Sequence, residues 1–179
     1  IYRRLRYTGL SKKAAWEAIF NSEEIGLAVT NVTLPKLPML RFPLPRGYES
    51  ATALLHDWIR EGWRYRKCDR MPYEKRKAYK ERVAYELGLI ESKDFVDYFL
   101  VVSDSVKFAK DSGIPVGPAR GSAAASLVCW LLRITEVNPM LFPNLVFERF
   151  IDVSRADLPD IDLDFASWGR AHIRDYLVA

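Results

Sequence analysis

The stretch "LPDIDLDF", Leu158 to Phe165, alternates three aspartates with three apolar residues. In an extended strand successive side chains point to opposite faces, so Asp160, Asp162 and Asp164 share one face, about 6–7 Å between neighbours. Ile161, Leu163 and Phe165 share the other and can anchor it in a core. Carboxylates so close repel each other and tend to protonate unless a cation lies between them. Hard oxygen ligands of this kind suit Mg²⁺ rather than zinc. Three simpler accounts compete. An acidic, solvated strand with no special role is one. A calcium loop is excluded, because its sixth and twelfth positions require Gly and Glu and here hold Phe165 and Ala171. Helix capping by one aspartate leaves the other two unexplained.

The chain around this stretch has 179 residues, 49% of them hydrophobic and 28% charged, the composition of a globular domain with a real core. It holds no run of eighteen apolar residues, which excludes a transmembrane helix. It starts at Ile1 and ends in a helical pattern, "RDYLVA", which suggests an excerpt from a longer protein. Two isolated cysteines, Cys68 and Cys129, form neither a zinc pattern nor a disulfide framework and point to a reduced, cytosolic setting. Net charge is +4. The excess concentrates in residues 60–83, where ten Lys/Arg stand against four Asp/Glu, interleaved with Trp63, Tyr65, Tyr73 and Tyr79. That mixture suits a nucleic-acid backbone; a solvated helix face is the alternative.

Along the chain, residues 11–31 read as one or two short helices capped by Ser11. The run "LPKLPMLRFPLPRGYES" carries Pro35, Pro38, Pro43 and Pro45, which forbid a helix interior and predict an extended connector. Ser50 can cap a helix with the stripe Leu54, Leu55, Trp58, Ile59 and Trp63. A second helix is predicted from Pro72 to Leu87 with Gly88 as its stop, and a third over "DFVDYFLVVSDSVKFAKDSG" ending at Gly113. "IPVG" reads as a short strand or turn, "GSAAASLVCWLLRI" as a buried helix and "RAHIRDYLVA" as a last one. The expected fold class is α+β or α/β, several helices packed on a small sheet. The expected division is 1–46, a helical segment with its connector, and 47–179, the main domain.

The segment "VGPARGSAAAS" places Gly117, Gly121 and Ser122 ahead of an apolar helix. Glycine lets backbone approach a ligand, and unpaired N–H groups at a helix start bind phosphate. Arg120 adds a guanidinium and Ser122 a hydroxyl. The pattern is neither a Walker A loop nor a dinucleotide fingerprint, and close packing of a small-residue helix explains it equally well alone. A Gly-Ser turn followed about forty residues later by paired aspartates is nonetheless what metal-dependent phosphoryl transfer requires. Arg149 and Arg155 lie between them and can neutralise triphosphate oxygens or pair with the aspartates.

The motifs "DYFLVVSD", "GIPVGPARGSAAASLV", "LVFERF" and "LPDIDLDF", in this order and spacing, closely resemble the palm of the bacterial C-family replicative DNA polymerases, the DNA polymerase III α catalytic subunits and their phage-encoded relatives. The resemblance implies a nucleotidyltransferase palm of the polymerase-β type, DNA-directed, adding dNTPs to a primer 3′ end with two Mg²⁺ ions. It maps the metal ligands to Asp160 and Asp162, with Asp164 in support, and the triphosphate site to Arg120, Gly121, Ser122, Arg149 and Arg155. It implies primer–template DNA as partner and, for the parent protein, a sliding clamp, a clamp loader and a proofreading exonuclease, with no membrane, in bacterial cytoplasm. The family's third catalytic aspartate has no counterpart here, so the excerpt alone is expected to be inactive. Ala119 stands where the family usually has glycine, and Ala166-Ser167-Trp168 is also unusual. The rival readings are another nucleotidyltransferase of the same superfamily and a non-catalytic nucleic-acid-binding relative.

Overall fold

The computed structural model describes residues 1–29, 40–152, 154 and 158–178. The chain divides into two compact units, Ile1–Met39 and Leu40–Ala179. In the first, α1 (Tyr2–Tyr7) is followed by α2 (Lys12–Ala28), whose N-terminus is capped as expected: the Ser11 hydroxyl accepts the Ala14 N–H at 3.1 Å. Tyr2 stacks on Trp16 with ring centroids 5.0 Å apart, and Ala15 of α2 is fully buried.

The second unit is built on α3 (Ala51–Tyr65), α4 (Tyr73–Ser92), α5 (Val96–Asp111), the short α6 (Leu127–Leu131) and α7 (Arg170–Val178). Ser50 caps α3 by accepting the Ala53 N–H at 3.1 Å. The α3 stripe Leu54, Leu55 and Ile59 is buried against Phe99 and Leu100 of α5 and Leu127, Val128 and Leu131 of α6. α3 and α6 approach closely at Gly62, where an added Cβ would lie 1.9 Å from the Leu131 carbonyl oxygen. A smaller cluster, Ala109, Ile114 and Ile173, ties α7 to α5, with Val116 and Phe165 against it. The end of α5 follows the sequence expectation in detail. Gly113 takes φ +71°, its N–H bonds to the Lys110 carbonyl at 3.1 Å and the Ile114 N–H to the Ala109 carbonyl at 2.8 Å. These two hydrogen bonds close the helix while Ile114 drops into the small cluster. No helix among the described residues is long and apolar enough to cross a membrane.

Three expectations are corrected. The helix predicted to stop at Gly88 continues to Ser92. Gly88 costs about 1 kcal/mol inside a helix, but the next turn buries Ile90 completely, and apolar burial of that size is worth about 1.5–3 kcal/mol. The helix predicted over "GSAAASLVCWLLRI" is a 3₁₀ turn, Gly121–Ala125, then α6. The break falls at Ser126, which sits in an extended conformation and accepts the Cys129 N–H at 3.0 Å.

The third correction concerns the fold class. The α+β expectation fails, because the described residues contain helices and no strand or sheet. The acidic stretch pairs only through one antiparallel bridge, Val116 with Phe165. Gly117 N–H reaches the Asp164 carbonyl at 2.8 Å and Ala166 N–H the Pro115 carbonyl at 3.1 Å. On one side of the bridge Pro115 faces Ala166 and has no N–H to return to its carbonyl, so that pair makes one bond of the two a ladder would have.

Two outcomes test this packing. Gly62→Ala places a methyl group against rigid backbone and should lower stability by about 2–3 kcal/mol, read from the denaturant midpoint. Cys68 and Cys129 are fully buried. Burial, with Asp69 nearby, pushes the Cys68 thiol up to about 11, and burial raises that of Cys129 as well. The thiolate is the reactive form, so neither should react with a disulfide reagent at pH 8 until the chain is unfolded.

Candidate active site

The acidic stretch keeps the alternation its sequence implies. Asp160, Asp162 and Asp164 are exposed, while Ile161, Leu163 and Phe165 are half-buried, the first two against the main core and the third against the smaller cluster. Its backbone is held from both sides. Ile161 N–H donates to the Tyr98 hydroxyl of α5 at 3.3 Å, and the bridge to Gly117 holds Asp164. Burial raises the Tyr98 hydroxyl above its ordinary range, with the neighbouring Asp160 and Asp162 adding to the effect against the Ile161 bond.

Across from this stretch lies the Gly-Ser turn. Gly121 has φ +62°, and a Cβ built on it would lie 2.9 Å from Asp162 Oδ2. Glycine is therefore required twice over, by its left-handed backbone and by the approaching carboxylate. Gly117 has a similar role beside the next aspartate, where a Cβ would meet Asp164 Cβ at 3.1 Å. Arg120 bridges the carboxylates: Nη1 donates to Asp164 Oδ1 at 3.1 Å and Nε lies 4.0 Å from Asp162 Oδ2. All three side chains are more than 40% exposed, and an exposed pair of this kind contributes only about 0–1 kcal/mol. The guanidinium is therefore a replaceable counter-ion for the acidic face. Ser122 and Asp160 meet Arg149 and Asp152 around a cavity of about 200 Å³.

Four of the site positions read from the sequence, Arg120, Gly121, Asp162 and Asp164, therefore converge at one place, with Gly117 beside Asp164. Ser122, Arg149 and Asp160 converge at the adjoining cavity. Arg155 lies outside the described residues. Among the described residues no three His, Cys, Asp or Glu side chains gather closely enough to enclose an ion by themselves. The spacing of alternate residues on an extended chain accounts for this. The donor set still fits Mg²⁺, which commonly takes one or two carboxylates and completes its shell with substrate phosphates and water.

What holds the turn in place was not apparent from the motifs. Glu86 of α4 is fully buried and accepts four hydrogen bonds. Its oxygens receive the N–H groups of Leu127 and Val128 at 2.9 Å each, the Ser126 hydroxyl at 2.8 Å and Arg82 Nε at 2.6 Å. Arg82 Nη2 also donates to the Ala125 carbonyl at 3.0 Å. Burial pushes the Glu86 carboxyl above its ordinary value, against the pull of these four donors. The clasp thus fixes residues 125–128, which immediately follow the Gly-Ser turn. The signal in the sequence was a charge on an apolar stripe: Glu86 shares the spacing of Tyr79, Val83 and Ile90.

With this geometry in view, comparison with known proteins is direct. Residues 54–179 match the family model described as the bacterial DNA polymerase III alpha NTPase domain. The chain is 40% identical over 168 residues to DNA polymerase III subunit alpha of Pseudomonas aeruginosa, covering 90% of this chain and 14% of that protein. It is 42% identical over 146 residues to the same subunit of Mycobacterium tuberculosis, covering 82% and 12%. The Caulobacter vibrioides subunit is 39% identical over 162 residues, covering 90% and 14%. The chain belongs to the bacterial DNA polymerase III alpha family, and it spans about a seventh of the length of these relatives.

Glu86→Gln keeps the shape but places an amide N–H₂ among donors. It should lower stability by about 2–4 kcal/mol, measured by chemical denaturation, whereas the exposed Glu81→Gln should leave it nearly unchanged.

Proposed function

We propose that this chain supplies a portion of the catalytic centre of a DNA-directed DNA polymerase, which adds dNTPs to a primer 3′ end in DNA replication. The observation that carries this reading is the close approach of the Gly-Ser turn to the acidic stretch, with Asp162 Oδ2 against Gly121. It brings phosphate-binding groups and metal-binding carboxylates within one small region. Membership of the DNA polymerase III alpha family supports the choice of a polymerase over another nucleotidyltransferase.

In this reading Asp160 and Asp162 hold Mg²⁺, and Asp164 supports them. Bound there, the ions supply activation of the attacking 3′-hydroxyl and neutralise the leaving pyrophosphate. The Ser122 hydroxyl and the N–H groups of the Gly121–Ala125 turn donate to triphosphate oxygens. Arg149, beside Ser122 and Asp160 at the cavity, adds positive charge where the phosphates carry negative charge. Arg120, whose pairing with Asp162 and Asp164 is exposed and weak, would be free to turn from the carboxylates to a bound triphosphate. Arg155 is assigned to the same triphosphate by the sequence pattern alone. Primer–template DNA and dNTPs are the substrates; a sliding clamp, a clamp loader and a proofreading exonuclease are the partners of the longer polypeptide, in bacterial cytoplasm.

The test is primer extension by a full-length polymerase polypeptide carrying this segment, with Mg²⁺ and all four dNTPs. Asp162→Asn should cut the rate about a thousandfold, the loss of roughly 4 kcal/mol of transition-state stabilisation, while DNA binding persists. An unchanged rate removes Asp162 from the metal site. Incorporation that ignores the template favours another nucleotidyltransferase. An inactive wild type that binds DNA in a salt-sensitive, metal-independent way favours a non-catalytic relative.

A further inference from the structure

The basic stretch of residues 60–83 divides in the structure into cations that are already committed and cations that are not. Arg66 is committed: Nε and Nη2 donate to the Trp130 carbonyl at 3.1 and 3.0 Å, Nη2 also to that of Thr135 at 2.9 Å, and Nη1 pairs with Glu136. Arg82 belongs to the Glu86 clasp, and Arg60 pairs with Asp57 at 2.9 Å. Lys77 and Lys80 make no ion pair or hydrogen bond among the described residues, and Arg76 donates only to the Asp69 carbonyl, at 3.2 Å. These three line one cavity of about 400 Å³ with the aromatic rings of Trp63 and Tyr73. Tyr73 is 65% exposed. Asp69 and Glu81 also stand on the wall and leave it a formal charge of +1.

Cations beside the exposed Tyr73 ring and the half-buried Trp63 match a ligand that is both phosphorylated and flat. In a duplex the base faces are stacked away, so rings at the wall can meet them only on an unpaired strand. An acidic protein segment would use the cations and leave the exposed Tyr73 ring without a partner. The two carboxylates do not favour a pure polyanion, but they can accept the exocyclic amino groups of bases. Arg76 precedes Glu86 by ten residues, about 15 Å along α4, so the cavity lies apart from the clasp at the Gly-Ser turn.

We propose that this cavity is a second nucleic-acid site, which holds the backbone of single-stranded DNA on Arg76, Lys77 and Lys80 and stacks a base on Tyr73 and Trp63. The site stands independently of nucleotidyl transfer, because neither the acidic stretch nor a metal ion takes part in it.

The experiment is fluorescence anisotropy of an unstructured, labelled oligodeoxynucleotide of about twelve nucleotides, titrated with this chain in EDTA over a range of salt concentrations. EDTA makes the outcome independent of the metal-ion chemistry. Lys77→Gln/Lys80→Gln should weaken binding about tenfold or more and lower the slope of log affinity against log salt by about 1.4, two contacts at about 0.7 each. Tyr73→Ala should weaken it at least about fivefold, the lower end of a base-stacking loss. All three positions are exposed, and unchanged circular dichroism verifies that each variant is folded. Wild-type affinity and slope in the double lysine variant would overturn the proposal. It would also fall if a duplex of equal length bound more tightly with Tyr73→Ala silent, which marks a duplex-backbone surface. Competition by polyglutamate as effective as by the oligonucleotide would overturn it as well, in favour of an acidic protein partner.

Discussion

The second unit depends on one buried carboxylate. Glu86 receives two backbone N–H groups, a hydroxyl and a guanidinium in the interior, where leaving any of them unpaired would cost about 1–3 kcal/mol. Burying a charge is itself expensive, and the arrangement is stable only because every partner is present. Its value is positional. α6 is only five residues long, too short to hold its own direction through helical cooperativity. The clasp anchors its first turn to α4, and the Gly-Ser turn directly before it inherits that placement. On the far side, the Gly62 contact with the Leu131 backbone fixes the other end of α6. A short helix pinned at both ends makes a rigid mount for an exposed turn.

The acidic stretch is solved differently. Its apolar residues and a single bridge carry the backbone, and the carboxylates project outward, where water and Arg120 moderate their repulsion. A sheet would have been the conventional support. Here the pairing stops at a single bridge, with Pro115 lacking a donor on one side of it, so the stretch relies on Tyr98, on the bridge and on Ile161, Leu163 and Phe165 for its register. Charge on one face and apolar contacts on the other is the same division that a strand would enforce, reached with almost no ladder.

What could be read from the sequence was local. Ser11, Ser50 and Gly113 act within a few residues of their position, so their types disclose the caps directly. The alternation of Asp160 to Phe165 likewise needs only an extended backbone, and the faces follow. The misjudged features depend on contacts distant in sequence. Gly88 is a credible helix stop until Ile90 is seen to be fully buried. Ser126 breaks a small-residue helix because Glu86, forty positions earlier, offers its N-terminal groups a better partner. The sheet was inferred from one edge, and a strand's existence depends on a partner that the alternation does not specify. Glu86 itself resembles a solvated charge beside Glu81 and Arg82 unless its place on the Tyr79–Ile90 stripe is noticed.

The contrast between Arg82 and Arg120 shows how the same residue type is given opposite roles. Arg82 is three-quarters buried, bonded to Glu86 and to the Ala125 carbonyl, so removing it strands a buried charge. Arg120 is 61% exposed and pairs with carboxylates that are themselves in water. The interior therefore carries interactions that are costly to break, and the acidic face carries ones that are easily exchanged. Weak, solvated pairs at a surface keep their register only if the scaffold beneath them does not yield. The Glu86 clasp supplies that rigidity to the Gly-Ser turn, which leaves the Arg120–Asp164 pair free to open without disturbing the fold.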